Sequence, residues 1–289
     1  MRKFRIRLIH LSRIKYLTRK RLSYLLTLDE SLKLLYLQKP SKIASILRIS
    51  LNKANVIYQS LHSLKLIKQI KAESVDTYII TYFDPHYPTQ LKTIPDPPYV
   101  IYAKGNIHLL KAKKMLSVIG TRKPTTQGKS KVNHFIKPLI DNNWLIVSGM
   151  ARGIDTYAHE ATLKFKGNTI SVLGSGFNHI YPKENKNLYE EIKNKGLIIT
   201  EYPPNTKPER YHFPERNRII SGLAKGTIVV ESGERSGTLI TVDQALEQGK
   251  EVYVVPGNLF SKQTLGNNKL IQQGGKLILN ASDIEEDFN

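Results

Sequence analysis

From Met115 onward the chain repeats one unit: a short apolar run, a glycine-containing turn, then a stretch of helical periodicity. The apolar runs are Leu116–Ile119, Leu145–Val147, Ile170–Leu173, Leu197–Ile199, Ile228–Val230, Val252–Val255 and Leu277–Leu279. A strand with one wet face alternates apolar and polar residues. Most of these runs do not alternate, so they read as strands buried on both faces. Helical stretches separate them at 129–141, 155–165, 185–194, 214–224, 238–248 and 267–273. Strands alternating with helices of that length build right-handed βαβ units. The expected fold is α/β, a mostly parallel sheet with helices on both faces.

The preceding residues follow a different rhythm. Residues 1–72 read as a small all-helical domain, with apolar residues at helical spacing such as Ile6, Ile9, Ile14 and Leu17, then Ile43, Ile46 and Leu47. Residues 73–110 read as a connector rich in Pro and Tyr, holding Asp84-Pro85-His86-Tyr87-Pro88 and Ile94-Pro95-Asp96-Pro97-Pro98. Those prolines exclude a long helix, and Tyr99–Tyr102 reads as a short strand. Residues 111–289 then form the α/β domain.

The 44 Lys and Arg against 24 Asp and Glu leave a formal charge of +20. That excess suits a polyanionic partner: nucleic acid, an anionic membrane surface or an acidic protein. Alternatively, a Lys-rich surface with no specific partner accounts for most of it. The absence of cysteine excludes disulfides and thiolate chemistry and fits a reducing cytoplasm. No apolar run approaches the roughly 20 residues that cross a bilayer, and the basic N-terminus lacks the apolar core of a signal peptide, so no membrane insertion is expected.

In an open parallel sheet, ligands bind beyond the carboxyl ends of the strands. The turns there are Gly120-Thr121-Arg122, Ser148-Gly149-Met150-Ala151-Arg152-Gly153-Ile154-Asp155, Gly174-Ser175-Gly176 and Ser236-Gly237-Thr238. Glycine lets backbone approach an anion, the first N–H groups of the next helix lack intrahelical partners, and Arg adds a forked cationic donor. The alternative is that the glycines only make tight turns. The most unusual segment, Tyr211 to Leu223, sets Arg216, Asn217 and Arg218 beside His212 and Phe213. It offers phosphate forks, an amide and aromatics for stacking. Alternatively, its arginines fasten the helix to the sheet through Glu201 or Glu231.

Several chemistries find no support. No Gly-x-Gly-x-x-Gly follows the first strand of the domain, and no P-loop is present, so neither a dinucleotide cofactor nor nucleoside triphosphate hydrolysis is expected. The eight histidines lack metal-ligand spacing. His159, four residues after Asp155, reads as a local helical hydrogen bond, and His212 as a packing residue. No catalytic residues, metal or cofactor are assigned.

The whole set resembles one family, the DprA/Smf DNA-processing proteins. The stretches that carry the resemblance run in order from Asp84-x-x-Tyr87-Pro88 and Lys104-Gly105-Asn106 through Gly120-Thr121-Arg122 and Ser148 to Asp155. They continue with Tyr181-Pro182-Lys183-Glu184-Asn185, Phe213-Pro214-x-Arg216-Asn217-Arg218, Ser236-Gly237-Thr238-Leu239-x-Thr241, Val255-Pro256-Gly257 and Leu270-Ile271-x-x-Gly274. The resemblance implies an extended Rossmann-like fold that binds and protects single-stranded DNA at the carboxyl edge of its sheet. It also implies a homodimer through that domain, and loading of the RecA recombinase onto DNA during natural transformation and recombination, without catalysis. By motif match, the implied DNA contacts are Arg122, Arg152, Lys183, Asn185, Arg216, Asn217 and the Ser236–Thr238 turn. Residues 1–72 would be the family's small helical domain. Many members carry a winged-helix-like domain after the Rossmann part; this chain reaches Asn289 after the acidic Asp283–Asp287 segment, so that domain's role is expected to be missing. The alternative is a nucleotide-processing enzyme of the lysine-decarboxylase-like Rossmann group. Its glycine pair is missing from Ser232–Thr238, and Thr241 stands where its Glu would be.

Overall fold

The structure is a computed structural model that describes residues 2–288; the side chain of Arg2, the first of the N-terminal basic residues, lies outside it. The chain divides into two compact units, Met1–Tyr87 with Pro98–Tyr102, and Pro88–Pro97 with Ala103–Asn289.

The first unit is helical: α1 (Arg2–Ser12), α2 (Arg19–Leu28), α3 (Pro40–Leu47), α4 (Leu51–Leu61) and α5 (Leu64–Asp76). Leu8, Leu11, Leu25, Leu35, Ile43 and Ile57 are fully buried in its core. Each such side chain is worth about 1.5–3 kcal/mol of transfer free energy. Helix α5 runs four residues past the expected end at 72, because neither Gly nor Pro interrupts Leu64–Asp76. The Pro-rich stretch holds the strand β1 (Tyr78–Thr81), the single turn α6 (Thr89–Lys92) and β2 (Val100–Gly105).

The second unit is built on seven further strands: β3 (Met115–Ile119), β4 (Leu145–Ser148), β5 (Thr169–Leu173), β6 (Leu197–Thr200), β7 (Gly226–Val229), β8 (Glu251–Val254) and β9 (Lys276–Leu277). They lie in the order β6-β5-β4-β3-β7-β8-β9, and every pairing among them is parallel. The connecting helices are α7 (Gly128–Asp141), α8 (Ile154–Lys164), α9 (Lys186–Lys195), α10 (His212–Leu223), α11 (Gly237–Glu247) and α12 (Leu265–Gln272), followed by the short α13 (Ser282–Glu285). Leu116 and Val118 of β3 join Phe135, Ile136 and Leu139 of α7 and Ile154 and Ala158 of α8 in one apolar cluster. Alternation sends Ser117 and Ile119 to the opposite face, where α10 crosses β3, β4 and β5. The α/β architecture with helices on both faces is therefore as the apolar runs required.

Several other boundaries shift by one or two residues from the sequence expectation, and two of these shifts have a definite cause. Helix α10 starts at His212 rather than Pro214, since Pro in a first turn gives up an N–H that has no partner there anyway. Strand β9 is shorter than Leu277–Leu279, because an edge strand pairs on one side only.

The order of strands sets the position of the site. From β3 the chain steps outward through β4, β5 and β6, then returns to place β7 on the other side of β3. The turns after β3 and β7 therefore diverge at adjacent strand ends and leave a crevice, which is where open α/β sheets hold ligands.

Candidate functional site

A cleft of about 870 Å³ opens at that reversal. Gly120, Thr121 and Arg122 line it from the turn after β3, and Gly233, Arg235, Ser236, Gly237 and Thr238 from the turn after β7. Helix α10 supplies Phe213, Arg216 and Asn217. Lys123, Arg210 and Lys262 stand around it, and Asp155 is the one acid among its described lining residues.

Each wall is braced by a buried polar side chain. Glu231, fully buried beyond β7, accepts from Thr125 N (2.7 Å), Thr125 Oγ1 (2.6 Å) and Lys131 Nζ (2.8 Å). This anchors the segment that carries Arg122 and Lys123. Across the cleft, Asn267 of α12 is fully buried; its amide donates to Val229 O, Val230 O and Val255 O and its Oδ1 accepts from Ser232 N. Asn267 thus fixes where the Ser232–Ser236 turn leaves the sheet. The sequence offers no local sign of this role, because only the topology brings residue 267 to the end of β7. Gly153 closes the corner at φ 77°, where a Cβ would also strike the backbone of Arg122 at 2.9 Å.

Arg216 lies under the cleft floor, 4% exposed. Its Nη1 donates to Val172 O (2.5 Å) and to Gly149 O, and its Nε to Asn217 Oδ1 (3.0 Å). Burial pulls its pKa down to about 10, against the pull of Asp155. Asp155, wholly buried, is pushed up to about 6 by the same loss of water, although Arg216 and the N–H groups of Gly149 and Ala151 oppose the shift. Arg122 is exposed, its guanidinium 5.8 Å above the ring of Phe213. Tyr181 stands 5.4 Å from the same ring and is 41% exposed, so two aromatic faces and a cation border one opening.

The glycines divide by what they make room for. A Cβ on Gly149 would fall on the Arg216 guanidinium, and one on Gly174 would lie 2.9 Å from Phe213. Gly176 is pressed against the backbone of Pro203 and Pro204. These three admit protein groups, whereas Gly237 has open space around it at the start of α11. There Ser236 Oγ accepts from Thr238 N at 3.2 Å.

The remaining sequence candidates lie outside the main cleft. Ser148 is fully buried and its hydroxyl donates to Val118 O at 2.7 Å. Asn185 donates to Met150 O (2.9 Å) and Thr156 Oγ1 (2.8 Å), bracing the turn after β4. Lys183 is exposed on the adjoining single turn. Arg152 lines a narrow annex that shares Arg122, Tyr181 and Phe213 with the cleft, and pairs with Glu184 at 2.5 Å on the surface. Arg218 pairs with Glu201 at 2.5 Å and approaches Asp96 at 3.5 Å, which fastens α10 to the sheet. His159 does not bond Asp155; its Nδ1 meets Thr169 Oγ1 at 2.7 Å, and burial holds its pKa near 3. His212 is buried against Tyr202, ring centroids 4.0 Å apart.

The site has the chemistry of an anion cradle with aromatic margins. Among the described residues no group of three or more His, Cys, Asp or Glu is arranged to hold a metal ion, and no helix is long and apolar enough to cross a membrane.

Comparison with known proteins identifies the fold and the family. The chain is 52% identical over 202 residues to the DNA processing protein DprA of Bacillus subtilis, covering 70% of this chain and 68% of the relative. The crystal structure of DprA from Streptococcus pneumoniae superposes with a TM-score of 0.86 at 36% identity, covering 97% of both chains. DNA processing protein A from Helicobacter pylori, described for its single-stranded-DNA binding mode, superposes with a TM-score of 0.66 at 28% identity, over 73% of this chain and 95% of that one. Residues 78–289 match the family model for DNA recombination-mediator protein A, and the chain belongs to that DprA/Smf family.

Proposed function

We propose that this chain binds single-stranded DNA in the cleft at the reversal of strand order, and that it does so without catalysis. The observation that carries the reading is the lining itself: Arg122, Lys123, Arg210, Arg235 and Lys262 converge on a groove floored by the buried Arg216, with one acid, Asp155, and with Phe213 and Tyr181 at its margin. Backbone N–H groups and forked cations hold phosphates with no sequence preference, and aromatic faces take any base. The buried His159 and Asp155 are engaged by Thr169 and by backbone amides, which suits a scaffold better than proton transfer. The Helicobacter pylori relative supports the choice of a single strand.

The family resemblance extends the proposal. The held strand is protected in the cytoplasm and passed to the RecA recombinase, in recombination and in natural transformation. A homodimer through the Rossmann-like unit would put two clefts on one strand and raise avidity. The open edge at β9, with Leu277 45% and Leu279 62% exposed, is the surface we assign to that contact.

Ultraviolet cross-linking of an oligonucleotide carrying 5-iodouracil, followed by peptide mapping, tests the placement. Adducts on Phe213 or Tyr181 are expected. Adducts confined to residues outside the cleft would contradict it.

A further inference from the structure

The cleft does not explain where most of the charge sits. The helical unit holds seventeen Lys and Arg against five acids, a formal +12 of the chain's +20, in less than a third of the residues. Arg5 pairs with Asp84 and Arg13 with Glu73, which engages two of those acids. Between Glu30 and Glu73 there are eight Lys and Arg and no acid at all.

That acid-free stretch contains α3 and α4, joined by three residues, Arg48 to Ser50. Arg48 sits at φ 50°, the left-handed conformation that ends a helix sharply. Ile43, Leu47, Ala54, Ile57 and Leu61 are buried and take one side of the pair. The other side of α4 presents Asn52, Lys53, Asn55, Tyr58 and Gln59 to solvent, together with Leu51 and Val56. Two helices joined by a three-residue turn, the second exposing amides and a cation from its first turn, is the arrangement that lays a helix in the DNA major groove. There the Asn and Gln amides match the paired donor and acceptor of adenine, and Lys matches guanine. Lys39 and Lys42, exposed at the start of α3, are the side chains a first helix uses to meet phosphates.

We propose that α3 and α4 form a second nucleic-acid surface, which docks on double-stranded DNA with α4 in the major groove and acts separately from the single-strand cleft. The charge would also suit an anionic membrane, but a helix that lies in lipid presents a continuous apolar face, whereas the exposed Leu51 and Val56 of α4 are interrupted by Asn52, Lys53, Asn55 and Gln59.

The test uses the full chain in fluorescence anisotropy with a blunt labelled duplex and, separately, oligo-dT, each across a salt titration. The variants are Arg48→Glu with Lys53→Glu, Asn52→Ala with Asn55→Ala, and Arg122→Ala. The charge-reversed pair is expected to weaken duplex binding by about tenfold or more and to flatten its log–log salt slope by about 2. The amide pair is expected to weaken it by about fivefold or more, as lost base contacts do. Neither should move oligo-dT affinity, whereas Arg122→Ala should lower oligo-dT affinity and leave the duplex unchanged. Absence of duplex binding by the unsubstituted chain, or duplex binding indifferent to both helical pairs, overturns the proposal. So does retention on phosphatidylglycerol vesicles that the charge-reversed pair abolishes while duplex binding persists. Failure of oligo-dT binding alone would instead count against the cleft.

Discussion

The guanidinium of Arg216 occupies the space a side chain would take at Gly149: a Cβ built there would lie 2.5 Å from Arg216 Cζ. The glycine in the turn after β4 therefore exists for a protein cation rather than for a ligand. Gly149→Ala must push that cation out of its carbonyl cage. Overpacking of this kind costs about 1–3 kcal/mol. We expect a lower melting temperature together with weaker single-strand binding, read by calorimetry and anisotropy on the same preparation.

Two arginines of the cleft should respond differently to removal. Arg122 is exposed, so Arg122→Ala should change stability by no more than about 0.5 kcal/mol while weakening oligo-dT binding. Arg216 is buried beside Asp155 and bonded to two backbone oxygens. Its removal strands a carboxyl and those oxygens, a loss of about 3–5 kcal/mol. Urea unfolding of both variants checks the contrast, and equal stabilities would contradict the burial argument.

Asp155 should make the proposed binding depend on pH. Its carboxyl is pushed up to about 6 by burial, so the folded protein holds a proton there that the unfolded chain releases near its ordinary value of 3.8. Its contribution to stability is therefore greatest below pH 4 and is lost as pH rises through about 6. Protonation also removes the one acid of the cleft, so affinity for a polyanion should rise as pH falls through the same range. A unit charge roughly 8 Å from a phosphate is worth about 2 kcal/mol at an effective dielectric near 20, before salt screening. Asp155→Asn should flatten the curve. Burial lowers the pKa of His212, and that group remains in the variant, so the difference between the two curves isolates Asp155.

In the proposed binding mode, Glu184 would compete with phosphate for Arg152. The two form an exposed pair at 2.5 Å, which raises the arginine's pKa and lowers the carboxylate's. A fully solvated pair of this kind is weak, because water and salt screen it and holding two long side chains costs entropy. Glu184→Gln should therefore tighten oligo-dT binding by no more than about fivefold, with the effect fading at high salt. An unchanged affinity would remove Arg152 from the binding surface.

Much of this molecule was legible in its sequence, and the rest was hidden for definite reasons. Uninterrupted runs such as Leu145–Val147 announce strands buried on both faces, and with them the edge where ligands collect. The strand reversal at β3 and β7 then brings Arg122 and Ser236–Thr238 to one cleft. What stayed hidden depends on distance along the chain. Nothing near Arg218 decides between Glu201 and Glu231 as its partner; the fold brings it to Glu201, while Glu231 instead holds Thr125 and Lys131. Asn267 reads as an ordinary polar residue at the start of a helix until β7 and β8 are seen around its amide. Gly149 and Gly174 read as phosphate-binding glycines because a sequence shows that room is made, not what fills it.

The most direct test of the central claim is anisotropy of labelled oligo-dT across a salt titration, with Arg122→Ala and Arg235→Ala beside the unsubstituted chain. About three phosphates held per cleft predict a log–log slope near −2, falling by about 0.7 in each variant as affinity drops. Single-strand binding that is insensitive to salt, or that both variants retain in full, would contradict the claim that this cleft holds the strand.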